Sequence, residues 1–192
     1  MPDSSKSEDR SQKSGVRRFL CFLASFFILT SSAWFPAPVA IAELPSPYAI
    51  ESLSGQKAPD FRLNNLDGKS LVLSSFKGKV VILIFWASWC PPCKEELKSM
   101  NRLYGMLKNR GLVIVAVSSD RSLSAVKDFI AHNPVDFDVL FDSNLSVSRD
   151  IYKAFMIPTT FVIDRSGIIV KKHFGEQDWT RPDIVREIEA LL

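Results

Sequence analysis

Val80 to Trp86 reads VVILIFW, seven consecutive positions without a polar side chain. A strand with one wet face alternates apolar and polar residues. A continuous β-branched and aromatic run of this length instead fits a strand covered on both faces, at the centre of a sheet. The run passes directly into ASWCPPCKEE, where Cys90 and Cys93 bracket two prolines and a charged, helix-forming stretch begins. Whatever these thiols do, they do it at the C-terminal end of a central strand.

The flanking sequence supplies the neighbours that such a strand requires. Upstream, APDFRLNNLDGKSLVLSSF alternates on both sides of Asp67-Gly68, a hairpin signal. Downstream, Leu97, Met100, Leu103, Tyr104 and Leu107 recur at helical spacing and Gly111 follows as a stop. LVIVAVS (112–118) predicts a second buried strand, and SLSAVKDFIAHN a helix closed by Pro134. DFDVLF predicts a short strand, NLSVSRDIYKAF a short helix, and TTFVID and IIVKKHF two strands around a turn. A last helix is expected from Thr180, with Pro182 and Asp183 in its first turn and a start resembling a capping box. Strands alternating with helices predict an α/β fold whose sheet is parallel in this region.

The N-terminal part reads differently. Residues 1–18 are polar and end in Arg17-Arg18, then FLCFLASFFILT supplies an apolar stretch of signal-peptide length, and Ala40 and Ala42 have the spacing a signal peptidase accepts before Glu43. Residues 1–42 are therefore expected to be an export signal. The alternative is an uncleaved membrane anchor, since Phe19 to Ala42 is long enough to span a bilayer, although Ser31, Ser32, Pro36 and Pro38 weaken its second half. Residues 43–56, rich in Pro and Ser, read as a linker, and a single domain is expected over 57–192.

Charge follows the same division. Residues 1–42 hold five of the 24 Lys and Arg and three of the 21 Asp and Glu, leaving 19 against 18 in the remainder. A nearly neutral body without a basic stripe and interleaved aromatics gives no reason to expect a nucleic-acid partner.

Cys21 lies in the leader, so Cys90 and Cys93 are the only thiols of the body. As a staple, so short a loop would remove little unfolded-state entropy. As half of a zinc site the pair lacks partners, because a structural site takes about four ligands and the body adds only His132 and His173, at no ligand-like spacing. Redox exchange suits the position best. A cysteine at a helix start faces unpaired N–H groups and the positive end of the dipole, which stabilise a thiolate, and a second cysteine one turn on can resolve a mixed disulfide. Pro92 suits the first turn, where a missing N–H costs least.

FWASWCPPCKEE after a buried strand, MIPTTFVID further along and the leading GQKAPDFRLNNLDGKSLVLSSFKGK resemble the thioredoxin superfamily, in particular its exported TlpA/ResA-like thiol-disulfide oxidoreductases. The resemblance covers residues 55–192. It implies a thioredoxin-like three-layer α/β/α sandwich with a central mixed sheet, an N-terminal β-hairpin and an inserted β/α segment, for which Pro134 to Met156 is the counterpart. It further implies that Cys90 is the nucleophile, Cys93 the resolving thiol, and Ile157-Pro158 a cis-proline loop facing them. The backbone of Ile157 would then be open to an extended substrate segment. Trp89, Pro91 and Pro92 complete the expected substrate-binding set, while Phe85 and Trp86 read as core. Glu96 matches the acidic residue of the C-x-x-C-x-x-E pattern and is either a proton relay for Cys93 or, like Glu95, a solvated helix-start glutamate. The buried aspartate that thioredoxins carry on the preceding strand is replaced here by Ile84.

No cofactor beyond the Cys90-Cys93 pair is implied. The expected partners are extracytoplasmic protein thiols or disulfides, cytochrome c apoprotein thiols among them, and a membrane electron donor for re-reduction. The expected location is the periplasm or the outer face of the cytoplasmic membrane. Pro91 removes one N–H near the Cys90 sulfur and so one stabiliser of its thiolate, which argues for a reductase rather than an oxidant. The opening KAPDFRLNNLDGK is also peroxiredoxin-like, but that class wants Thr or Ser three residues before the reactive cysteine, where Ala87 stands. A redox-inactive binding module on the same fold is the remaining alternative.

Overall fold

The computed structural model describes residues 53–192. The expected leader, residues 1–42, lies outside the described residues. The hairpin forms as its alternation predicts, with β1 (Arg62–Asn65) antiparallel to β2 (Ser70–Val72). Gly68 takes φ +82° in the turn, and Asn65 Oδ1 accepts the N–H groups of Asp67 and Lys69 at 3.0 and 2.9 Å. The apolar run is β3 (Val80–Trp86), and every residue in it is buried. Alternation resolves how: Val80, Ile82, Ile84 and Trp86 enter one core, and Val81, Leu83 and Phe85 the other.

Beyond the cysteines, α1 (Pro91–Leu107) buries Leu97, Met100, Leu103 and Leu107, and the chain turns at Gly111, φ +105°, into β4 (Leu112–Ser118). Ser122 then caps α2 (Leu123–His132), its Oγ accepting the Ala125 N–H at 3.3 Å. β5 (Asp138–Phe141) follows, then a short π-type helix, Ser146–Ile151, and β6 (Thr159–Ile163) and β7 (Ile169–Phe174). α3 (Pro182–Leu191) starts two residues later than the capping-box reading expects. Thr180 donates its N–H and hydroxyl to Asp178 Oδ1 at 2.9 and 2.6 Å, so it closes a local turn instead of capping the helix.

The strands of the described residues form one mixed sheet of seven, in the order β2-β1-β5-β4-β3-β6-β7. β3, β4 and β5 are parallel, as the alternation of strands and helices implies, whereas β6 pairs antiparallel with β3, β7 with β6, and β1 with β5. The layers are unequal. The three α-helices of the described residues pack on the face of Ile82 and Ile84; the other face is covered by Phe61, Leu73 and the segment carrying Val147, Tyr152 and Ala154. Gly55 N–H donates to Ile169 O at 2.7 Å and Ile169 N–H to Gln56 O at 2.9 Å, so the chain joins the sheet before Lys57.

Candidate active site

The turn between β3 and α1 is held from the neighbouring strand. Asp120, in the loop after β4, accepts the Ser88 N–H at 2.9 Å, the Ser88 hydroxyl at 2.7 Å and the Ser118 hydroxyl at 2.8 Å. Ser119 N–H donates to Trp86 O at 2.8 Å. With that turn fixed, Cys90 becomes the N-cap of α1 and Pro91 and Pro92 its first two residues. Neither proline has an N–H, so the helix start that faces the sulfurs is left with few donors.

Cys90 and Cys93 are joined in a disulfide, their Cα atoms 5.3 Å apart. Their exposure differs in the way an attacking thiol would feel: Cys90 is 5% exposed and Cys93 is 0%. Trp89, beside Cys90, is 70% exposed, whereas Phe85 and Trp86 are wholly buried core residues, as the sequence implies.

The Ile157–Pro158 peptide is cis. Its position beside the cysteines follows from register. Thr159 lies opposite Phe85, so Pro158 sits against the end of β3 from which the cysteine turn departs, and Ile157 packs on the core cluster that contains both cysteines. Thr159 donates its hydroxyl to Met156 O at 2.6 Å and Gly175 N–H donates to Pro158 O at 2.9 Å, which fixes the loop on both sides. The backbone of Ile157 has no hydrogen-bond partner among the described residues. Phe155 and Met156 just before it are exposed.

Glu96 is not a solvated helix-start glutamate; it is wholly buried one turn beyond Cys93. Glu95, in contrast, is exposed and paired with Lys98 at 2.8 Å. Burial pushes the Glu96 carboxyl up to about 7, against hydrogen bonds from Trp179 and Thr160 that pull the other way. Thr160 Oγ1 and Trp179 Nε1 both donate to Oε1 at 2.9 Å, while Oε2 is buried without a partner. Thr160, Trp179, Ser88 and Asp120 escape the sequence reading. Only Trp179, a lone aromatic in the polar stretch GEQDWTRP, leaves a signal there.

His132 and His173 do not join the cysteines, and among the described residues no three His, Cys, Asp or Glu side chains converge as metal ligands would. Two cysteines joined in a disulfide at the start of a helix can exchange that bond with other thiols. On a sheet of this order, that chemistry makes the chain a thioredoxin-fold thiol-disulfide oxidoreductase.

The chain belongs to the AhpC/TSA family, whose sequence model matches residues 54–172. It is 39% identical over 123 residues to the thiol-disulfide oxidoreductase ResA of a Bacillus cereus strain, covering 64% of this chain and 70% of the relative. To ResA of Bacillus subtilis it is 43% identical over 122 residues, 63% of this chain and 68% of the relative. Among solved structures it superimposes with a TM-score of 0.62 on a thiol:disulfide interchange protein of the thioredoxin family from Chlorobium tepidum TLS, at 28% identity, covering 70% of this chain and 94% of the other.

Proposed function

We propose that this oxidoreductase is an exported reductase in which Cys90 attacks, Cys93 resolves and Glu96 carries the proton. The observation that carries the reading is that Cys90, at the N-cap of α1, keeps 5% exposure while Cys93 is fully buried, one helical turn before a buried carboxyl with one unpaired oxygen. In the working direction the Cys90 thiolate attacks one sulfur of a client disulfide and expels the other as a thiolate. Cys93 then attacks the Cys90 sulfur, releasing the second client thiolate and closing the Cys90–Cys93 bond. Two electrons pass from the enzyme dithiol to the client. The enzyme is recharged by a dithiol of a membrane electron donor, and no cofactor takes part.

Trp89, Pro91, Pro92, Ile157 and Pro158 form the client-binding surface, with the unpaired backbone of Ile157 receiving an extended client strand. The two prolines favour the reducing direction, because a helix start short of N–H donors stabilises the Cys90 thiolate less, and a less stabilised dithiol is a stronger reductant. The apolar stretch 19–42 supports export, with the clients among extracytoplasmic proteins, cytochrome c apoproteins included. Against the peroxidase reading stands Ala87, buried and without a hydroxyl at the position three before Cys90.

Equilibrating the pair with thiol buffers and reading Trp89 fluorescence tests the direction. A potential near −270 mV, about that of thioredoxin, supports the reductase, while one near −120 mV, about that of a strong oxidant, reverses it.

A further inference from the structure

The two donors on Glu96 reach it from distant parts of the chain. Thr160 lies on β6, and Trp179 in the segment between β7 and α3. The indole is fixed in turn. Trp179 is fully buried and donates its backbone N–H at 3.1 Å to Ser99 Oγ, on the turn of α1 that follows Glu96. The ring of His173 on β7 packs edge-on against it at 5.4 Å.

A hydroxyl can donate or accept, but an indole N–H only donates. The oxygen it faces is therefore an acceptor in every protonation state, and with two donors already on it a carboxyl proton is better placed on the other oxygen. We infer that Trp179 and Thr160 are positioning residues that hold Oε1 of Glu96 as a permanent acceptor and so assign its exchangeable proton to Oε2, the oxygen with no hydrogen-bond partner and the one from which Cys93 would take it. The inference rests on the proton-carrying role proposed above. When an external thiolate opens the disulfide at the Cys90 sulfur, Cys93 leaves with the electron pair; the O–H bond on Oε2 breaks as an S–H bond forms on Cys93. The donors stay on Oε1 throughout, so the carboxylate is neither abandoned in an apolar site nor rotated between turnovers. Of the titratable groups around it, Cys93 lies on the same helix, His173 stands behind Trp179, and Glu176 adds a like charge from the segment after β7.

The test is infrared difference spectroscopy of the oxidised full chain against Glu96→Gln, following the protonated-carboxyl band with pH. The wild-type band is expected to vanish with a midpoint near 7. Trp179→Phe and Thr160→Val each remove a donor to the ionised form and should move that midpoint upward by about one pH unit. Thr160→Ser, which keeps the hydroxyl, should restore it. Thr160→Val changes shape little and keeps the test decisive if the tryptophan variant does not fold. Midpoints unchanged in both donor-deleted variants would overturn the assignment. A Glu96→Gln variant that exchanges disulfides at the wild-type rate would instead overturn the proton-carrying role while leaving the hydrogen-bond assignment to the midpoints.

Discussion

Replacing Glu96 by Gln should remove most of the pH dependence of stability on the alkaline side of pH 5. The carboxyl rises from an ordinary value of 4.5 to about 7 on folding, chiefly because burial penalises its charge. Since the folded pKa is the higher one, the native state binds more protons between these values. The stabilisation is complete below the unfolded pKa and is lost as pH rises through the folded one. A shift of this size corresponds to about 3 kcal/mol, and about 2.5 kcal/mol of it should disappear between pH 5 and pH 8.5. His173 works in the opposite sense. Burial holds its imidazole below 6.5, so its contribution is present above 6.5 and fades as pH falls. Subtracting the variant from the wild type cancels it. Only the slopes enter the comparison, because the amide nitrogen of the introduced glutamine would occupy the unpaired position of Oε2 and cost stability at every pH. Urea unfolding of the oxidised protein, followed by far-ultraviolet circular dichroism at both pH values, measures the two slopes. Equal slopes in wild type and variant would refute the placement of a high-pKa carboxyl at this site.

Three other outcomes follow from named contacts. Cys93→Ser should accumulate a client-linked mixed disulfide, visible on non-reducing gels, whereas Cys90→Ser should form none; adducts on Cys93 alone would reverse the roles. Trp89→Ala, at a side chain 70% exposed, should leave unfolding free energy unchanged within about 0.5 kcal/mol while slowing exchange with a cysteine peptide more than with a small dithiol; equal slowing of both would remove Trp89 from the client surface. Tyr152 donates its hydroxyl to Pro59 O at 2.6 Å inside the second core, so Tyr152→Phe should cost about 1 kcal/mol in urea unfolding with exchange rates intact, and a stability equal to wild type would show that water replaces the bond.

What is legible in the sequence is whatever a local period or a steric rule dictates. The run Val80–Trp86, short, β-branched and aromatic, fits a doubly covered strand, and the spacing of Leu97, Met100 and Leu103 marks a helix with one apolar face. The start of α3 departs from expectation because Thr180 has a nearer partner in Asp178 than the helix it would cap. Long-range pairing leaves no local trace either: β5 enters the sheet between β1 and β4, so the N-terminal hairpin meets a strand far along the chain. The same distance hides the partners of Glu96, which lie 64 and 83 residues away. A glutamate at the start of a helix stays open between a solvated residue and a buried one until the tertiary fold closes over it.

Burial alone does not make a carboxylate chemical, and the three buried ones of the described residues divide on how they are satisfied. Asp120 accepts three hydrogen bonds and ties the cysteine turn to β4. Asp142 accepts the N–H groups of Val147 and Ser148 at the start of the short π-type helix. In both, each carboxyl oxygen accepts at least one hydrogen bond. Glu96 differs because its two donors share one oxygen and its other oxygen has none. A carboxyl so arranged keeps the same contacts whether or not it carries a proton, the condition for cycling between the two states without rearranging the core. On β3 the apolar Ile84 packs fully buried in the sheet at the position where the resemblance to thioredoxins expects an aspartate. The strand is thereby relieved of a buried charge, and the buried carboxyl nearest the cysteines in sequence is Glu96, on the helix that bears Cys93, to which the proposal above gives the proton-carrying role.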